Sequence, residues 1–331
     1  MKAVLCEAWG PPSSLRIAEV PSPTPGPRQV LVRTRAAAVN FPDALIVAGK
    51  YQFRPPLPFS PGGELSGEVI ATGADVTRVA VGDKVVGLTP FGAFAQEVAV
   101  DESHIVPLPS DIGDDALEVA GSFVLTYGTS LHALKDRAEA REGETLLVLG
   151  AGGGVGLAAV EIGKLMGMRV IAAASSEAKR DAARAHGADE VIDYASEDLK
   201  ERVKALTDGK GVDVVYDPVG GDFAEPALRC VGWRGRYLVV GFASGEIPRL
   251  PANLLLLKGS ALVGVFWGEF VKREPGRNAE NMKTLFGWLG EGRIRPHVSR
   301  RYPLSGAADA LDALLAREAI GKLVVLPQQP D

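Results

Sequence analysis

Leu146 to Leu149 is an unbroken apolar run, the pattern of a strand buried on both faces, and glycines follow at Gly150, Gly152, Gly153, Gly154 and Gly156. Beyond them Val155, Ala158, Ala159, Ile162 and Leu165 recur at helical spacing, which predicts a helix over 155–167 with one face on a sheet. Residues 169–174 read as a second strand, completing strand, glycine turn, helix and strand within about 30 residues, as a βαβ unit demands. The alternation continues, with strands predicted at 190–193, 212–216, 235–241 and 260–265 and helices near 177–186, 196–206 and 222–232. Such a pattern predicts a doubly wound parallel sheet.

The chain before this region has a different rhythm. Short β-rich stretches at 4–9, 15–19, 29–38, 63–72, 84–88 and 95–100 are separated by proline and glycine, including Pro21 to Pro27, Pro55 to Pro61 and Val81-Gly82-Asp83. Helical periodicity begins at Asp115 to Gly121, and a helix is expected from Val124 to Arg137. The composition turns alanine-rich here, which puts a domain boundary near 122. After the sixth strand, 278–291 and 307–317 read as helices and 298–302 and 322–326 as strands.

The 331 residues suffice for two domains, and 46% apolar with 23% charged residues is an ordinary globular balance. A net charge of −5 with no run of like charges disfavours nucleic acid and anionic membrane as partners. Cys6 and Cys230 are the two cysteines; they form no C-x-x-C pair and suggest no disulfide framework. The N-terminus carries an acid at Glu7 and no long apolar core, so a cytoplasmic protein is expected.

A strand, a glycine turn and a helix start together make an anion site, because bare backbone N–H groups and the positive helix end point beyond the strand. A dinucleotide pyrophosphate suits it. The G-x-G-x-x-G spacing is met with Ala151 in the first position if Gly153 and Gly156 are the second and third, and a plain glycine loop is the other reading. At the end of the second strand there is no acid until Glu177. Ser175, Ser176, Lys179 and Arg180 stand there instead, and hydroxyls with positive charge suit a ribose 2′-phosphate rather than a free 2′-OH, so NADPH is expected over NADH. The competing reading makes Ser176 an N-cap and Lys179 and Arg180 a solvated helix face.

These pieces, with Val39-Asn40-Phe41-Pro42-Asp43, Pro58 to Glu64, Val81 to Val85, His186-Gly187-Ala188-Asp189, Tyr216 to Gly221 and Gly321-Lys322, resemble in one order the zinc-free quinone oxidoreductase branch of the medium-chain dehydrogenase/reductase superfamily, which includes zeta-crystallin. The resemblance spans essentially the whole chain. It implies an α/β fold in which a Rossmann doubly wound parallel sheet, residues 123–265, is inserted in a GroES-like β domain made of 1–122 and 266–331. It also implies a cleft holding cofactor and substrate, and a homodimer through the sheet edge at 260–265, where a buried terminal strand without a partner is the alternative. Zinc-bearing relatives use a thiolate near Asn40 and a histidine where this chain has Gly63; with no cysteine between Cys6 and Cys230, no metal is expected and Glu64 is read as structural.

By the same resemblance Thr129 lies at the nicotinamide, Lys179 and Tyr194 at the 2′-phosphate, and Lys322 at a C-terminal cofactor contact. Gly153, Gly154 and Val155 form the turn, while Val219, Phe242, Ala243, Phe266, Trp267 and Gly268 lie after parallel strands, where open α/β sheets bind ligands. Core packing is an equal reading of Phe266 and Trp267. The scattered His104, His132, His186 and His297 are read as structural, and Ser13 and Ser14 lack a nucleophile setting. Asn40 and Tyr51, on the loop that the resemblance sets facing the nicotinamide, are left as the polar candidates for catalysis, hydrogen-bonding an acceptor carbonyl; alternatively Asn40 organises its own turn and Tyr51 covers the cleft. The expected activity is hydride transfer from NADPH to a quinone or the C=C of an α,β-unsaturated carbonyl compound. An enoyl thioester reductase and a non-catalytic NADPH-binding protein are the alternatives.

Overall fold

The structure is a computed structural model and describes residues 1–330. The chain divides into two compact units, residues 1–125 with 296–331, and residues 126–295.

In the first unit Gln29–Val39 is the central strand. Val30 to Val32 and Ala36 to Val39 are buried on both faces, and Arg33 between them is the exposed position. It pairs antiparallel with Glu64–Thr72, with Glu97–Asp101 and with Lys322–Leu326. Val298–Pro303 extends the sheet beyond the C-terminal strand, and Lys84–Leu88 and Ile105–Pro107 extend it on the other side. Lys2–Leu5 and Arg16–Glu19 form a separate antiparallel pair. Val4, Val39, Val47, Phe59, Phe94 and Leu323 belong to one core. The register of Leu323 opposite Val39 brings two distant stretches of sequence to the same end of the sheet, and it sets Lys322 beside Asn40.

One element here was not anticipated. Directly after the central strand the chain turns into a short helix, Phe41–Val47, in a stretch for which no element was predicted. Asn40 is its N-cap, Pro42 sits in its first turn, and the Asp43 carboxylate accepts the Asn40 N–H at 2.8 Å. This acid reaching back three residues is half of a capping box, and proline costs nothing where no intrahelical N–H is needed.

The second unit holds six parallel strands in the spatial order Glu190–Asp193, Arg169–Ala174, Thr145–Leu149, Val212–Asp217, Val231–Val239 and Ala261–Gly264. Taken in chain order this is 3-2-1-4-5-6, the doubly wound arrangement, with the switch between the first and fourth strands. The first two strands are almost entirely buried, as their unbroken apolar runs require. The last strand lies at the edge, with Ala261 and Leu262 exposed, and Leu256 and Leu257 of the preceding helix are exposed as well.

The second domain boundary differs from expectation. Residues 266–295 pack in the parallel-sheet unit and not in the β unit. Trp267 lies on Gly128, where an added Cβ would come within 2.6 Å of its ring. Asn281 of helix Pro275–Gly290 donates to Asp136 at 2.7 Å and accepts from Lys135 at 2.8 Å, and His132 is stacked on Phe270. Helical periodicity in 278–291 announced a helix but could not say which surface it would cover. The predicted helix at 124–137 is α-helical only over Val124–Leu131 and continues as a π-helical segment, His132–Arg137, that carries these partners. No helix among the described residues is long and apolar enough to cross a membrane.

Candidate active site

The first strand of the parallel sheet ends at Leu149, and the turn that follows is built by close contacts. Gly150 has φ +57°, and the N–H of Gly153 closes on its carbonyl at 3.0 Å. A Cβ on Gly156 would meet that same carbonyl oxygen at 2.3 Å, so glycine is required where the helix crosses the turn. The helix Gly154–Leu165 has no side-chain cap at its start. Its first N–H groups, from Gly154 and Val155, have no partner one turn earlier and carry the positive end of a twelve-residue helix. At Gly153 an added Cβ would meet only the Gly150 carbonyl, at 3.4 Å, so the backbone there can be approached closely. A phosphate group fits such a cradle.

Lys179 lies over this turn. A Cβ on Gly152 would stand 2.5 Å from the Lys179 Cβ and 2.6 Å from its Cγ, so the stem of the lysine runs across the glycine. Ser176 caps the helix Glu177–Ala185, its hydroxyl accepting the Lys179 N–H at 3.4 Å, and Ser175 and Ser176 are both exposed. Arg180 is a different case: its guanidinium is paired with Asp193 at 2.9 Å and joins the second helix to the end of the third strand. Of the two cations considered together on the sequence, Lys179 reaches the glycine turn. Tyr194, directly after that third strand, is half-buried with its ring 4.4 Å from Phe223.

The loops after the fourth and fifth strands are fastened to each other and to the turn. Asp217 accepts the N–H groups of Val219 and Gly220 on one oxygen, at 2.7 and 2.9 Å, and the Tyr237 hydroxyl on the other at 2.5 Å. Burial pushes its carboxyl above the usual range against those hydrogen bonds. Val219 is thereby set against Gly150, where an added Cβ would be 2.8 Å from its methyl group. Ala243 donates to the Pro218 carbonyl at 3.0 Å, which brings Phe242 and Ala243 beside the same loop. Thr129 is half-buried on helix Val124–Leu131, and its neighbour Ser130 donates to the Val155 carbonyl at 3.0 Å. Phe266 is 58% exposed while Trp267 is buried, so of these adjacent aromatics only Phe266 is open; Gly268 follows in the first turn of Trp267–Arg273.

A second polar group lies in the β unit. Asn40 donates from Nδ2 to Glu64 Oε2 at 3.1 Å and accepts from Lys322 Nζ at 2.5 Å. Glu64 is fully buried and takes the Leu125 N–H on its other oxygen at 2.9 Å. Lys322 is also within 3.4 Å of the Val39 carbonyl and 3.6 Å of Glu64 Oε2. Burial lowers the Lys322 pKa, opposed by the charges of Glu64 and Asp43. Asp43, also buried, is pushed up to about 7 by burial, against the Asn40 N–H and the Lys322 charge. Tyr51 is half-buried, and burial followed by the charge of Asp43 raises its phenol.

Sequence reasoning singled out Asn40 and Tyr51 but passed over Asp43 as a functional group, although Asn40 and Asp43 have the spacing of a cap. It likewise missed Asp217 and Ser130, which no local pattern marks because their partners are far away in sequence. Lys322 was expected at the cofactor; its ammonium is enclosed by oxygens of Asn40, Val39 and Glu64. The Asn40 side chain faces Glu64 and Lys322, and the Asp43 carboxylate reaches back to the Asn40 N–H at the start of the helix.

Residues 26–110 match the alcohol dehydrogenase GroES-like domain family, and residues 154–284 match the zinc-binding dehydrogenase family. The chain is 39% identical to a quinone oxidoreductase of Pseudomonas aeruginosa, covering 98% of this chain and 99% of that one. It is 36% identical to quinone oxidoreductase-like protein 2 of Rattus norvegicus, over 98% of this chain and 91% of the relative. Among solved structures, Escherichia coli quinone oxidoreductase complexed with NADPH superposes with a TM-score of 0.91 at 30% identity, covering 99% of this chain and all of the other. With a six-stranded parallel sheet in the order 3-2-1-4-5-6, a GroES-like unit made from both ends of the sequence, and relatives matched over nearly their full length, the chain belongs to the quinone oxidoreductase branch of the medium-chain dehydrogenase/reductase superfamily.

Proposed function

We propose that this protein is an NADPH-dependent oxidoreductase that reduces a quinone or the C=C of an α,β-unsaturated carbonyl compound. The observation that carries the reading is Lys179 lying across Gly152, beside the uncapped start of Gly154–Leu165 and the exposed hydroxyls of Ser175 and Ser176. The helix start is suited to the pyrophosphate, and the lysine and hydroxyls to the 2′-phosphate that distinguishes NADPH from NADH. Gly153, Gly154 and Val155 offer backbone N–H groups, and Val219, Phe242, Ala243, Thr129 and Tyr194 are assigned to the cofactor with them. Phe266, Trp267 and Gly268 belong to the same group, with Trp267 acting from beneath by its packing on Gly128. The complex of the Escherichia coli relative with NADPH supports the assignment.

When bound, NADPH supplies the hydride. The protein's own task is to hold the acceptor, exclude water and meet the charge that arrives on the acceptor oxygen. Quinones and conjugated carbonyl compounds both take hydride at an electrophilic carbon while an oxygen gains negative charge, so one pair of donors serves either. Asn40 Nδ2–H and Tyr51 O–H are assigned that part. The Tyr51 phenol, like any phenol, is protonated and therefore a donor at neutral pH, and its burial shifts it further in that direction. Asp43 links this part of the protein to pH. Its carboxyl titrates near 3.8 when unfolded and about 7 when folded, so between those values the folded state binds more protons. Its contribution to stability is complete below the unfolded pKa and is lost as pH rises through the folded one.

Turnover of purified protein with NADPH and 1,4-benzoquinone or a 2-alkenal is expected, faster than with a short enoyl-CoA. Turnover confined to the thioester would move the substrate class, and binding of NADPH without any turnover would favour a non-catalytic role. For Lys179→Ala the KM for NADPH should rise about 10- to 100-fold, the worth of one charge-assisted hydrogen bond, with NADH little changed. Equal constants for the two cofactors, unaltered by the substitution, would remove the 2′-phosphate assignment. Tyr51→Phe is expected to lower kcat about a hundredfold, as loss of one donor at a developing oxyanion does; an unchanged kcat excludes the hydroxyl from the reaction. In urea titrations from pH 5 to pH 8 the stability of the native protein relative to Asp43→Asn should fall as pH rises, by at most about 1.4 kcal/mol per unit. A pH-independent difference would contradict the titration assigned to Asp43.

A further inference from the structure

We infer that Lys322 and Glu64 are a positioning pair that holds the Asn40 carboxamide in one orientation, leaving one Nδ2–H to donate to the oxygen of the reducible substrate. The inference rests on the reduction proposed above and assigns Lys322 to Asn40 instead of to the cofactor.

An ammonium can only donate and a carboxylate can only accept, whereas a carboxamide can turn over and exchange its oxygen for its nitrogen. Asn40 Oδ1 faces Lys322 Nζ at 2.5 Å and Nδ2 faces Glu64 Oε2 at 3.1 Å. Turned over, the amide would set N–H against ammonium and oxygen against carboxylate, two repulsive contacts in a region where Asn40, Glu64 and Lys322 are all buried. The orienting groups are themselves held. Glu64 takes the Leu125 N–H on its second oxygen, and the Asn40 backbone is fixed by Asp43.

Counting valences shows what remains. Lys322 Nζ donates to Asn40 Oδ1 at 2.5 Å and to the Val39 carbonyl at 3.4 Å, and its charge lies 3.6 Å from Glu64 Oε2, so the ammonium is turned to this cluster. Asn40 has its oxygen taken and one amide hydrogen taken, so its second amide hydrogen is the uncommitted donor of the cluster. A donor fixed before the reaction begins can stabilise charge on the acceptor oxygen without reorganising. The C-terminal strand thus supplies a cation whose effect on the reaction passes through an amide 282 positions earlier in the chain.

A double-mutant cycle tests this, with kcat for NADPH and 1,4-benzoquinone measured beside the NADPH Kd from cofactor fluorescence. Asn40→Ala and Lys322→Met are each expected to lower kcat about a hundredfold while leaving Kd within about threefold of the native value. The doubly substituted protein should lose no more than about threefold beyond the Asn40→Ala protein, because both changes remove the same donor. Losses that multiply overturn the inference, as does a Lys322→Met protein with native kcat and a Kd raised tenfold or more, which would make Lys322 a cofactor ligand. If circular dichroism shows that Lys322→Met does not fold, the cycle between Glu64→Gln and Asn40→Ala decides on the same criterion. Absence of turnover by the native protein would overturn the proposed reaction and this inference with it, whereas native turnover with multiplying losses overturns the inference alone.

Discussion

The β unit depends on the antiparallel pairing of Lys322–Leu326 with the end of Gln29–Val39. This contact joins the last part of the chain to its first part, and everything distinctive about the buried polar cluster follows from its register. Leu323, Val324 and Val325 are buried opposite Val39, Ala38 and Ala37, and Lys322 is buried with them. An ammonium taken out of water is costly unless oxygens replace its hydration. Asn40, Val39 and Glu64 supply those oxygens, and in doing so they become ordered themselves. A register shift of one residue would turn Lys322 to the other face of the sheet and leave Glu64 buried without its cation.

The parallel-sheet unit shows the same logic with backbone groups in place of side chains. Its glycine turn is compact because four neighbours crowd it: the Gly150 carbonyl under Gly156, the Lys179 stem on Gly152, Val219 on Gly150, and the Ala173 carbonyl, which takes the Ala151 N–H at 3.1 Å. Larger residues are excluded on the inside of the turn, while the side bearing the Gly154 and Val155 N–H groups stays open. Asp217 extends this order to the loop after the fourth strand by accepting two successive N–H groups. The carboxylate does for that loop what Asp43 does for the helix after Asn40, since in both places a buried acid replaces backbone partners that a turn cannot supply.

Two of the four histidines illustrate how buried titratable groups serve packing. His132 is paired with Asp136 at 2.9 Å and stacked on Phe270, and burial lowers its pKa more than the carboxylate raises it. His186 is 2.9 Å from Glu161, which also takes the Tyr127 hydroxyl and the Arg295 N–H. These acids draw residues 266–295 into the parallel-sheet unit. Their effect is to connect elements, and they lie on elements far apart in sequence.

The sequence by itself determined the alternation of strands and helices, the glycine turn and the class of the fold, because each is written in local periodicity or in residue types with narrow uses, while Asn40 and Tyr51 became candidates through the family resemblance. Buried parallel strands must be apolar without interruption, and a tight turn under a helix must be glycine; such signals need no knowledge of the rest of the chain. Tertiary structure decided what depends on partners: that Lys179 and not Arg180 reaches the glycine turn, because Asp193 holds the arginine, and that residues 266–295 side with the parallel sheet. It also decided the surroundings of Asp43, Asp217 and Lys322. Whether a charged residue is solvated, paired or buried is fixed by which strands lie beside it, and strand pairing between residues 39 and 323 leaves no trace in the neighbourhood of either.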